Sequence, residues 1–95
     1  MKNIFGDKNM DNLYKCIATL KTKDDCKKFF EDLCTVSELK AMAQRLEVAK
    51  MLNDKVVYHE ISQKTGASTA TISRVNKCIY YGNGGYKKAI CNLED

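Results

Sequence analysis

Residues 58–80, YHEISQKTGASTATISRVNKCIY, carry two short helical patterns on either side of one glycine. That arrangement constrains the backbone more than any other stretch of the chain. Glu60, Ile61, Ser62, Gln63 and Lys64 read as a first short helix. Gly66 then enters a left-handed turn without the Cβ penalty that other residues suffer. Ser68 is an N-cap whose hydroxyl takes an orphan amide of the next helix's first turn. Ile72, Val75 and Ile79 recur at helical spacing and predict the face that meets a core. Thr69, Ala70, Ser73 and Lys77 fall off that stripe. Small or hydroxylated side chains at the free start of a second helix suit the major groove, where base edges are read at short range. Residues 57–80 are therefore read as a helix-turn-helix.

The bulk properties agree with a small regulator and exclude other classes. At 95 residues the chain is expected to form one domain, 1–95. Proline is absent and 44% of the residues are hydrophobic, so an all-α fold with a thin core is expected. Residues 1–54 hold ten basic and nine acidic side chains, whereas residues 55–88 hold six basic residues against Glu60 alone. The positive excess thus falls on and just after the helix-turn-helix, where DNA phosphates would be met. Cys16, Cys26, Cys34, Cys78 and Cys91 have no zinc-knuckle spacing, and the lone His59 completes no Cys/His set, so neither a metal nor a cofactor is expected. Cys34 and Cys78 read as small core residues. The N-terminus lacks an apolar export segment and no run is long enough to span a membrane, which predicts a reduced, cytoplasmic protein. There is no phosphate-binding glycine loop, metal-binding histidine pair or positioned nucleophile, so an enzyme is not expected.

Along the chain the apolar spacing predicts six helices with short joints. Residues 1–8 read as loose. Leu13, Cys16, Ile17 and Leu20 give a first helix over about 9–21. Thr22 and Asp25 cap a second over 23–34, with Cys26, Phe29, Phe30 and Leu33 on its apolar face. Thr35 and Glu38 open a third over 36–53, with Leu39, Met42, Ala43, Leu46, Ala49, Met51 and Leu52 on its apolar positions. Asn53–Lys55 breaks the chain before the helix-turn-helix. Gly82-Asn83-Gly84-Gly85 ends its second helix. Within the short C-terminal tail, 82–95, residues 86–93 are expected to form a final helix packing through Ala89, Ile90 and Leu93. The first two helices are too apolar on one face to stand alone; they are expected to cover the third helix of the same chain or of a second chain, so 9–54 is assigned to the core and to dimerisation.

The run from Thr35 to Lys77 resembles the tryptophan repressor superfamily, nearest its YerC/YecD-like branch. The matching residues are Thr35-x-x-Glu38-Leu39-Lys40-Ala41-Met42-Ala43-Gln44-Arg45, then Glu60-Ile61 and Gly66-Ala67-Ser68-x-Ala70-Thr71-Ile72-Ser73-Arg74. The resemblance implies an intertwined, all-helical homodimer that presents two helix-turn-helix units to double-stranded operator DNA. It carries DNA contacts onto Thr69, Ala70 and Ser73, with His59 and Ser62 on the preceding helix. Ser68, Thr71, Arg74 and Lys77 complete the candidate DNA-binding set. Arg45 and Arg74 stand where two arginines flank the indole in the repressor, and so mark a candidate effector pocket. The family's glycines beside those arginines are replaced here by Ala43 and Val75. Added bulk in a flat-ring site opposes binding, so L-tryptophan is not expected to be the effector.

These readings converge on a sequence-specific regulator, a repressor acting as a homodimer on a pseudo-palindromic operator. The competing reading is a helical protein–protein adaptor that keeps the fold without binding DNA. An adaptor has no need of the basic excess over 55–88.

Overall fold

The computed structural model describes residues 7–94, so most of the stretch expected to be loose, 1–8, lies outside the described residues. The fold is all-α, as the periodicity predicts: α1 (Lys8–Ala18), α2 (Lys23–Leu33), α3 (Val36–Asn53), α4 (Tyr58–Thr65), α5 (Thr69–Tyr81) and α6 (Gly85–Glu94). The chain divides into two compact units, one running to Val36 and one beginning at Ser37.

In the first unit, local hydrogen bonds set the helix ends. The Asp7 carboxylate accepts from the Asn9 amide and starts α1. The Thr22 hydroxyl accepts from the Asp25 amide at 3.0 Å and starts α2, as its spacing predicts. α1 stops at Ala18, short of the expected residue 21. There the Thr19 hydroxyl and amide both donate to the Cys16 carbonyl, a local bonding pattern that competes with further helix. Phe29 and Phe30 meet edge to face, with ring centroids 5.6 Å apart. Neither α1 nor α2 contains a buried residue. Leu33 remains 53% exposed and Val36, just after it, 69% exposed.

The second unit holds the core. Val48 and Ala49 from α3, Ile61 from α4, Ala67 from the following turn, Ile72 and Val75 from α5, and Ile90 from α6 are buried together. Met51, Leu52, Val56, Tyr58, Ile79 and Tyr86 pack around them. Fully burying each branched aliphatic side chain contributes about 1.5–3 kcal/mol. Several sequence expectations are corrected here. Val48 and Ala67 are core residues that the apolar spacing did not single out, whereas Ala43 and Leu46 are exposed. Only the C-terminal half of α3 contributes to the buried core of this unit. Cys78 is exposed and Cys34 only half-buried, because neither belongs to the Val48–Ile61–Ile72 cluster. In α6 Ile90 is buried, whereas Ala89 and Leu93 are exposed.

α3 ends in a C-terminal cap that uses an unusual residue. The Lys55 amide bonds the Leu52 carbonyl and the Val56 amide bonds the Met51 carbonyl, each at 3.0 Å. This Schellman pattern requires a left-handed residue, normally glycine, and Lys55 fills it with φ 64°. Among the described residues, no helix is long and apolar enough to cross a membrane. Likewise no three His, Cys, Asp or Glu side chains are grouped to hold a metal ion.

Candidate nucleic-acid interface

The relation between α4 and α5 is fixed by a dense set of short-range bonds around Gly66. That glycine has φ 75°, and its amide closes α4 on the Ser62 carbonyl at 2.9 Å. Thr65 folds its hydroxyl back onto the Ile61 carbonyl at 2.7 Å and accepts from the Ala67 amide at 3.1 Å. Ser62 Oγ donates to the Ala67 carbonyl at 2.8 Å. Gln44 Nε2 donates to the Thr65 carbonyl at 3.1 Å and ties the end of α4 to α3. Ala67 is 2% exposed and anchors the turn in the core.

Beyond that turn, Ser68 Oγ accepts from the Thr71 amide and lies 3.1 Å from Thr71 Oγ1. Ser68 thus caps α5 as its type and position predict. On α5 the core face is Ile72 and Val75, both buried, with Ile79 half-buried. Thr69, Ala70, Ser73, Arg74 and Lys77 are all exposed. Thr69, Ser73 and Lys77 are spaced by four residues and share one face of the helix. Thr71 is half-buried and engaged in the cap.

On α4, His59 is exposed. Ser62 is half-buried and its hydroxyl is committed to the turn. Lys64 pairs with Glu60 at 3.2 Å, one turn away on the same helix. The one acidic residue of 55–88 therefore neutralises Lys64. Among the described residues, no ion pair is made by Lys55, Arg74, Lys77, Lys87 or Lys88.

Arg45 and Arg74 are both exposed. Neither lines the apolar recess of about 460 Å³ formed by residues that include Leu46, Cys78, Tyr86 and Ala89. Val75 is 2% exposed and belongs to the core. Sequence reasoning missed Gln44, whose role depends on a bond across 21 residues, and the left-handed backbone of Lys55, which has no local signature even though the break at Asn53–Lys55 was expected.

The family model described as Trp repressor protein matches residues 8–94. The uncharacterized protein YerC of Bacillus subtilis (strain 168) is 49% identical over 88 residues, which cover 93% of this chain and 85% of that protein. A TrpR-like protein from Eubacterium eligens ATCC 27750 superposes with a TM-score of 0.91 at 45% identity, covering 98% of this chain and 96% of the other. A putative Trp repressor from Staphylococcus aureus superposes with a TM-score of 0.89 at 38% identity, with the same coverage.

Proposed function

The chain belongs to the Trp repressor protein family, and from that premise we propose that it is a DNA-binding transcriptional repressor acting as a homodimer in the cytoplasm. The observation that carries this reading is the division of α5 into two faces. Ile72 and Val75 are buried, while Thr69, Ala70 and Ser73 are exposed on the first two turns. These side chains are short enough to let the helix axis approach the base edges. Thr69 and Ser73 hydroxyls donate to or accept from base edges, and Ala70 offers a methyl group to thymine. Arg74 and Lys77 meet phosphates and hold the helix in register, as does the exposed His59 on α4. Ser62 and Ser68 serve from behind, by bracing the turn and capping α5.

Dimerisation is supported by the absence of any buried residue in α1 and α2 despite their apolar stripes. Two copies related by a twofold axis would place recognition helices about 34–36 Å apart, one DNA turn, over a pseudo-palindromic operator. The protein acts by occupying DNA, with no reaction to catalyse. Arg45 and Arg74 serve phosphate or subunit contacts in this reading, with no indole between them.

The test is selection of genomic fragments on the purified protein, followed by sequencing. Recovery of a shared motif with inverted half-sites supports the proposal. Random recovery, with no fragment enriched, contradicts it and favours the adaptor reading.

A further inference from the structure

The Asn53–Lys55 turn, the second half of α5 and the start of α6 together line a polar recess of about 210 Å³. Lys55 and Lys87 enter its lining from different elements, beside Asn53, Asn76 and Tyr80, with the apolar Leu52 and Ile79 completing it. The Lys87 ammonium sits 5.7 Å from the centroid of the Tyr80 ring, which holds it over an aromatic face while leaving its charge unneutralised. No Asp or Glu is among the lining residues. Neither lysine makes an ion pair among the described residues. Two lysines and two asparagines lining one small polar hollow are residue types that match an oxyanion.

Lys55 strengthens that match. It occupies the left-handed capping position where glycine is the unstrained choice. A lysine there adds nothing to the cap itself; what it adds is a cation at the recess.

The position along α5 indicates where the anion comes from. Asn76 and Tyr80 lie three and seven residues beyond Ser73, about 5 and 10 Å further along the helix axis. The major groove is about 12 Å wide. A helix with Ser73 at the base edges therefore carries Asn76 and Tyr80 out toward the flanking strand. We propose that this recess seats one phosphate of the DNA backbone beside the reading face, gripped by Lys55 and Lys87. The proposal rests on the DNA-binding reading given above and adds α6 and the α3–α4 turn to the footprint.

The test compares the parent protein with Lys55→Gly, Lys87→Gln and the double variant. Binding to a mixed-sequence duplex is followed by fluorescence anisotropy at several KCl concentrations. Lys55→Gly removes the cation while relaxing the backbone, so its thermal midpoint should be unchanged or higher and unfolding cannot account for weaker binding. Losing one neutralised phosphate lowers the salt slope by about 0.9 and weakens binding about eightfold at 0.1 M salt. The double variant should show that loss. Parent binding with an unchanged slope and affinity in the double variant overturns the phosphate seat and leaves the DNA reading standing. Failure of the parent to bind any duplex overturns the DNA reading and the seat with it. In a second arm, inorganic phosphate is titrated while amide shifts at Lys55 and Asn76 are recorded. Saturable shifts there, combined with a parent-like salt slope in the variants, identify a free-anion site and reject the backbone assignment.

Discussion

Ser62 Oγ donates to the Ala67 carbonyl at 2.8 Å, closing the α4–α5 turn from its inner side. The bond spans the left-handed Gly66 and couples the last full turn of α4 to the residue that precedes the α5 cap. The presentation of Thr69 and Ser73 therefore depends on a hydroxyl that itself points into the protein. Ser62→Ala leaves the part-buried Ala67 carbonyl without that donor and should cost about 1 kcal/mol of stability. Urea denaturation of the two proteins checks this. An unchanged midpoint would mean that the turn is held without Ser62.

Gly66→Ala tests the backbone itself. A Cβ at this position meets only Gln44 Nε2, at 4.0 Å, so crowding is not the issue. The φ of 75° is, and holding a non-glycine residue in that region costs about 1–2 kcal/mol. Ser68→Ala, which removes the α5 cap, should cost about 1 kcal/mol. The two sites share one turn, so the double variant is expected to deviate from additivity.

The helix-turn-helix was legible in the sequence because each of its devices is local. From the glycine turn through the Ser68 cap to the Ile72–Val75–Ile79 stripe, each residue lies no more than four positions from the next. α3 was less legible. Its periodicity indicated Ala43 and Leu46 yet passed over Val48, because a helix that meets one partner with its C-terminal half need not keep one stripe throughout. Ala67 escaped notice as a core residue for a related reason: it lies between helices, where periodicity says nothing. Lys55 is the opposite case. Helical spacing correctly predicted a break there, but only backbone coordinates reveal a lysine in a glycine conformation.

The exposed apolar residues around the α2–α3 junction give a direct test of self-association. Leu33 is 53% and Val36 69% exposed, so an aspartate at either position should leave an isolated chain nearly unaffected. In a twofold dimer each substitution occurs twice, and burial of such side chains contributes about 1.5–3 kcal/mol each. Light scattering should give twice the 10.8 kDa chain mass for the parent. Leu33→Asp or Val36→Asp should shift it toward the monomer and lower the thermal midpoint. A parent of single-chain mass at micromolar concentration would contradict the dimer.

L-tryptophan should not bind with micromolar affinity. Val75, beside Arg74, lies buried in the core, and Arg45 and Arg74 are both exposed. Calorimetric titration should give no saturable heat up to millimolar ligand. A stoichiometric, micromolar isotherm would restore the effector pocket between the two arginines.

The central claim, that the exposed face of α5 reads DNA, is tested most directly by measuring affinity for the selected fragment with Thr69→Glu and Ser73→Glu. Both positions are exposed on a capped helix, so both variants should melt within about 0.5 kcal/mol of the parent. Each places a carboxylate among phosphates, where like-charge juxtaposition costs several kcal/mol. Specific binding should fall at least tenfold in folded protein, about 1.4 kcal/mol or more. Parent-like affinity in both variants would contradict that claim.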